Sequence, residues 1–154
     1  MESENKSEIS PDEYRALAEF RFQIRRFIHF SEQAAHAAAL EPQQHQLMLA
    51  LKGFPEGKRA TISDLAKRLQ LQHHSAVELI GRSVRQGLVA RCRGTADRRQ
   101  VFVTLTSHGE TLLRELSLHH RRELRSAGPA LVDALRALID DGDAPSPTRT
   151  PRGK

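Results

Sequence analysis

The sequence predicts a mainly α-helical protein whose centre is a winged helix-turn-helix, flanked by long helices. Three observations lead there. Two short helical patterns follow one another between Thr61 and Gln86 with almost no loop between them. Gly87 closes the second, and two short β-forming segments come next. The turn between those segments is rich in arginine. At 154 residues the chain suits one domain with frayed ends.

Residues 1–10 are polar and expected to be disordered at the N-terminus, although Ser10 reads as a helix cap. Ser10-Pro11-Asp12-Glu13 combines a capping serine, a proline at the first helical position and an acid three residues after the cap. The helix it opens is predicted over about 11–39. Leu17, Phe20, Ile24, Phe27, Ile28 and Ala35 form one apolar stripe, while Phe22 and Phe30 lie off it. Apolar groups on more than one face call for more than one burial partner, the chain's own core and a second subunit. Glu41-Pro42 breaks the chain, and Gln43 to Lys52 follows as a helix with Leu47, Met48 and Leu51 inward. Gly53 to Lys58 is a connector. Its glycines are one residue too close for a phosphate-binding loop, and no strand precedes it.

The winged helix is predicted over about 60–106. Ile62, Leu65, Ala66 and Leu69 give the first short helix one apolar face. The second runs from about His73 to Gln86 with Ala76, Leu79 and Ile80 inward. Leu88 to Arg93 and Val101 to Leu105 then form a hairpin around the turn at Gly94 to Arg99. Thr106 can cap a helix over Ser107 to Arg125 with Leu112, Leu113, Leu116 and Leu124 inward, and Gly128-Pro129 is expected to end it. A last helix is predicted over Ala130 to Asp140, with 141–154 a disordered tail rich in Pro, Gly and charge.

Charge is concentrated in the winged helix. The chain carries a formal net charge of +5. Between Thr61 and Thr106, Lys67, Arg68, Arg82, Arg85, Arg91, Arg93, Arg98 and Arg99 face only Asp64, Glu78 and Asp97, which is the same net +5. An anionic partner is implied, and a helix-turn-helix with a basic hairpin points to double-stranded DNA.

A hydrophobic content of 38% without tryptophan makes a thin core for a monomer and favours a homodimer. The single cysteine, Cys92, allows no intramolecular disulfide and fits a reducing cytoplasm. Its neighbours Arg91 and Arg93 point to the other strand face, so a passive thiol is expected. No signal segment or membrane-spanning run is present, and no membrane partner is expected. None of the eight histidines stands three or four residues from another, as a helical chelate requires. Neither a nucleophile elbow nor a zinc-hydrolase motif occurs, so no metal, no cofactor and no enzyme activity are expected.

Gly87-Leu88-Val89, then Asp97-Arg98-Arg99, then Leu105-Thr106-Ser107-His108-Gly109 stand in an order and spacing that resembles the MarR family of bacterial transcriptional regulators. The resemblance implies a homodimer joined through N- and C-terminal helices (about 11–39 and 107–140). It also implies a repressor on a pseudo-palindromic operator, released in many relatives by a small aromatic or anionic effector. The outward positions of the second helix are then the base and phosphate contacts: His73, His74, Ser75, Glu78, Arg82 and Arg85. Glu78 can accept from a cytosine amino group, or pair with Arg82 four residues on.

By the same resemblance, Arg99 is the wing's minor-groove arginine, oriented by Asp97, with Arg93 and Arg98 on phosphates. Arg21, Arg25 and His29 are the candidates for an effector cleft, although a charged stripe is also the ordinary outer face of a helix. Two residues depart from the family pattern: Ser83, where an inward leucine is usual, and Gly81, which costs a helix interior about 1 kcal/mol relative to alanine. The competing reading is a winged-helix protein-interaction or dimerisation module without sequence-specific DNA binding.

Overall fold

The structure, a computed structural model, describes residues 8–140. The disorder expected at the two ends falls mostly on 1–7 and 141–154, outside the described residues. The first helix, α1 (Pro11–Ala37), starts as its sequence dictates. The Ser10 hydroxyl accepts the Glu13 N–H at 3.2 Å, and the Glu13 carboxylate accepts the Ser10 N–H at 2.6 Å. It ends two residues before the expected Ala39. There the backbone turns left-handed (φ 57), and the Leu40 N–H bonds the Ala35 carbonyl at 2.9 Å. Helix α2 (Pro42–Lys52) begins at the Glu41-Pro42 break.

Helix α3 (Ile62–Leu69) is capped by Thr61, whose hydroxyl accepts the Asp64 N–H at 3.2 Å while Asp64 accepts the Thr61 N–H at 2.9 Å. Those bonds hold the Asp64 carboxyl below the usual carboxylate range. Helix α4 (His73–Arg85) stops at Gly87, whose φ of +70 lets the Leu88 N–H turn back to the Ser83 carbonyl at 2.9 Å. Leu88 is thereby buried at the start of the wing.

Strands β2 (Val89–Arg93) and β3 (Val101–Leu105) form the predicted hairpin, with Val89 opposite Leu105 and Arg93 opposite Val101. A third strand was not anticipated: β1 (Ala60–Thr61) pairs with β3 and gives the order β1-β3-β2. Two residues carry too little periodicity to be read from sequence.

The last element corrects an expectation. Gly128-Pro129 does not end a helix, because α5 runs unbroken from Ser107 to Ile139 with Pro129 inside it. Proline forfeits one backbone bond and crowds the carbonyl four residues back, here that of exposed Arg125, which water can satisfy. The inward positions Leu113, Leu116, His120, Ala127, Leu131 and Ala134 keep helical phase across the proline, so packing on α1 holds both halves in line.

Leu47, Met48, Leu65, Leu79, Ile80, Leu88, Val89, Val103, Leu113 and Leu116 form the core, where α2 to α4, the sheet and the first half of α5 meet. Beside it runs a polar seam. His120 contacts the Leu116 carbonyl through Nδ1 at 2.7 Å and the buried Ser31 hydroxyl of α1 through Nε2 at 2.8 Å. The His45 ring of α2 stacks 4.7 Å from the His120 ring. Phe30, predicted off the apolar stripe, turns inward onto His119 and His120.

Candidate nucleic-acid interface

The candidate interface centres on the face of α4 opposite its core residues. Ala76, Leu79, Ile80 and Ser83 are buried, which sets the helix rotation and leaves His74, Glu78, Gly81 and Arg85 outward. Ser83 fills its position as a leucine would not: it is fully buried, and its hydroxyl bonds the Leu79 carbonyl at 2.8 Å. His73 and His74 are exposed at the helix start, and Ser75 is half-buried beside them. Gln72 supplies no side-chain cap, so the first-turn N–H groups remain available to an anion.

Arg82 is not an isolated outward cation. Its Nε bonds both carboxylate oxygens of Glu41, at 3.1 and 3.2 Å, and its terminal nitrogen reaches one of them at 3.0 Å. The pair fastens α4 to the residue that precedes α2 and raises the Arg82 pKa further, with Glu78 adding a weaker attraction. The intrahelical Glu78–Arg82 bridge that the i,i+4 spacing suggested is replaced by this long-range one. Fork-on-carboxylate geometry explains the choice, because Glu41 offers two oxygens to two nitrogens. No sequence signal joins residues 41 and 82.

In the wing, Arg93, Asp97, Arg98 and Arg99 are all exposed. The Asp97 Oδ1 accepts the Arg99 N–H at 2.9 Å, an Asx-type turn that shapes the backbone at Arg99. Gly94 closes the same loop. Its N–H donates to the Gln100 carbonyl at 2.9 Å, and a Cβ there would overlap the Asp97 carbonyl oxygen. At the base of the sheet, the Arg59 guanidinium stacks 4.2 Å from the centre of the Phe102 ring. Cys92 is half-buried, its Sγ 3.9 Å from the Thr104 hydroxyl, on the sheet face away from Arg91 and Arg93.

The Leu105-Thr106-Ser107-His108-Gly109 motif locks the wing to α5. The Thr106 hydroxyl donates to the Gly87 carbonyl at 2.6 Å and accepts the Gly109 N–H at 3.0 Å. Gly109 is buried where any Cβ would overlap the Leu88 carbonyl oxygen. One short motif therefore ties the end of α4, the wing and the long helix together.

Arg21, Arg25 and His29 are exposed along α1, and the structure does not gather them into a cleft. A surface groove lies between α2 and the first turns of α5, lined by Leu49, Lys52, Thr111, Arg114 and Leu118 among others. A Lys52–Glu110 ion pair of 2.8 Å crosses its end.

A winged helix-turn-helix set on two long packed helices defines the class of protein. Residues 40–100, which hold α2 to β2 and the turn of the wing, match the model of the MarR family. The match spans 61 of the chain's 154 residues. Among solved structures, AbsC from Streptomyces coelicolor, a MarR family transcriptional regulator, is similar with a TM-score of 0.64 at 25% identity, over 91% of this chain and 86% of AbsC. MepR from Staphylococcus aureus, a transcription regulator of the multidrug efflux pump MepA, shares the fold with a TM-score of 0.66 at 18% identity, over 79% of this chain and 90% of MepR. A MepR variant bound to an oligodeoxyribonucleotide has a TM-score of 0.62 at 18% identity, over 86% of this chain and 95% of its own. No curated protein matches the chain.

Proposed function

We propose that this protein is a homodimeric transcriptional regulator of the MarR type that binds a specific double-stranded DNA operator, acts in the cytoplasm as a repressor, and is released by a small-molecule effector. The observation that carries the reading is the segregation of charge onto one geometry. The outward face of α4 and the tip of the wing expose His73, His74, Arg85, Arg93, Arg98 and Arg99, while the opposite side of α4 is core. Helix α4 then enters the major groove with Glu78 and the histidines near base edges. The wing carries Arg99 to the adjacent minor groove, with Asp97 shaping its turn and Arg98 and Arg93 on the backbone. Ser75 and the free N–H groups of the first turn of α4 suit a phosphate. Arg82, held by Glu41, fixes the helix at its depth.

Dimerisation has support from the long helices. Tyr14, Leu17, Phe22 and Ile28 on α1, with Leu124, Val132, Leu135 and Ile139 on α5, are exposed, large apolar side chains that a second copy would cover. Two heads joined through these helices read half-sites about 34 Å apart. No described helix is long and apolar enough to cross a membrane. Selection from random duplexes with purified protein tests the function: an enriched inverted repeat, bound with a steep salt dependence, is expected. Selection that enriches no motif would refute the specific-binding reading.

A further inference from the structure

We propose that Arg85 and Arg91 form a clamp for one backbone phosphate of duplex DNA, seated over Gly81. The inference deepens the DNA-binding reading and rests on it for the ligand. Its starting point is the alternation of β2. Val89 and Arg91 lie on one face of the strand, with Arg91 opposite Val103. Val89 and Val103 are buried in the core, and that face packs against α4. Arg91, one step nearer the wing tip, is exposed, and its side chain reaches along the flank of α4.

It ends beside Gly81. A Cβ on Gly81 would stand 3.5 Å from a terminal nitrogen of Arg91 and 3.6 Å from one of Arg85, which lies one helical turn further on. Two guanidinium groups, from a helix and from a strand, thus lie within 3.6 Å of the same point. Neither is in an ion pair among the described residues. The surrounding hollow is open to solvent and lined also by Val77, Glu78, Arg82 and Val84. Of its other charged groups, Arg82 is engaged with Glu41, and Glu78 bonds neither arginine among the described residues. Two permanent cations that converge without a counter-ion leave a position for an anion, and planar guanidinium forks match phosphate oxygens at about 2.7–2.9 Å.

Gly81 is the third part of the clamp. Glycine is a poor helix residue, and its place on the outward face keeps the space between the two guanidinium groups empty. Alanine fits there at ordinary contact distance, whereas a larger side chain occupies the space without changing any charge. The clamp touches a phosphate and no base edge, so it adds affinity to every duplex and selectivity to none.

The test measures binding of the parent, Arg91→Ala, Arg85→Ala, the double variant and Gly81→Leu to a mixed-sequence duplex at low salt, with circular dichroism to confirm the fold. Each single variant is expected to lose roughly five- to tenfold in affinity, and the double variant little more than one of them. Gly81→Leu is expected to lose as much as Arg91→Ala although its charge is unchanged, while Gly81→Ala binds as the parent does. Parental affinity in Arg91→Ala or Gly81→Leu overturns the clamp, and fully multiplicative losses in the double variant overturn the shared phosphate. Because the duplex is of mixed sequence, a failure of sequence-specific binding leaves this readout intact and is seen separately.

Discussion

The carboxylate of Glu41 grips the guanidinium of Arg82 with three contacts of 3.0–3.2 Å, joining the residue that caps α2 to α4, far along the chain. The pair decides what Arg82 does. Held at the flank of α4, it ties that helix to the residue that caps α2.

Glu41→Ala and Arg82→Ala should therefore weaken operator binding to a similar extent, and the double variant should be no worse than either. Thermal stability should move little, because a partly exposed ion pair contributes little. If Arg82→Ala alone relaxed the preference at one base position, as selection with each variant would reveal, a direct base contact would replace the positioning role.

In the wing, the Asp97–Arg99 relationship is a hydrogen bond from a backbone N–H to a side-chain oxygen. Asparagine keeps that oxygen and alanine does not. Asp97→Asn should bind near parental strength, Asp97→Ala more weakly, and Arg99→Ala roughly tenfold more weakly while remaining a folded dimer. Equilibrium binding to the selected operator, with light scattering for the dimer, checks all three. Undiminished affinity in Arg99→Ala would remove the wing from the interface.

The polar seam predicts acid sensitivity. Burial, reinforced by the neighbouring His120, lowers the His45 pKa from 6.5 to about 4, so the folded protein holds this ring neutral. The unfolded chain takes up the proton more readily between those values. Stability from this site is thus complete above about pH 6.5 and is lost progressively as pH falls toward 4. Melting temperatures across that range should fall for the parent and fall less for His45→Leu. Parallel curves for the two proteins would contradict it.

Ser83 stands in a fully buried position with its hydroxyl already bonded. A leucine there overpacks the site, and Ser83→Leu should cost about 1–3 kcal/mol in urea unfolding. Ser83→Ala should stay within about 1 kcal/mol of the parent, since the Leu79 carbonyl loses only its second partner. A stabilised Ser83→Leu protein would mean that the core has room there.

Pro129 lies exposed inside α5. Pro129→Ala restores a backbone donor and removes the crowding at the Arg125 carbonyl, so stability should rise by about 1–3 kcal/mol. An unchanged or lower melting temperature would show that the proline does not strain α5.

Local chemistry made most of the fold legible in advance. Ser10-Pro11 with Glu13 and Thr106 before Ser107 announce their helices, because a cap acts within one turn. Gly87 marks the end of α4 because only a left-handed residue lets Leu88 turn back into the core. The 3.6-residue period of Leu65, Ala76, Leu79 and Ile80 set the inward faces correctly, and with them the outward face that carries the charge. The same local reasoning failed at Gly128-Pro129. It weighs one lost hydrogen bond without the packing that keeps both halves of α5 against α1.

Chain order alone did not disclose the partnerships. Glu41 with Arg82, Ser31 with His120, and Arg91 beside Arg85 are contacts between elements, and no spacing rule reaches across a loop. Residue types and helical period were sufficient to define a basic winged helix on two long helices. Which of its arginines are free and which are held depended on side chains that meet only once the helices and the sheet pack, because ion pairs and close approaches are set by distance in space.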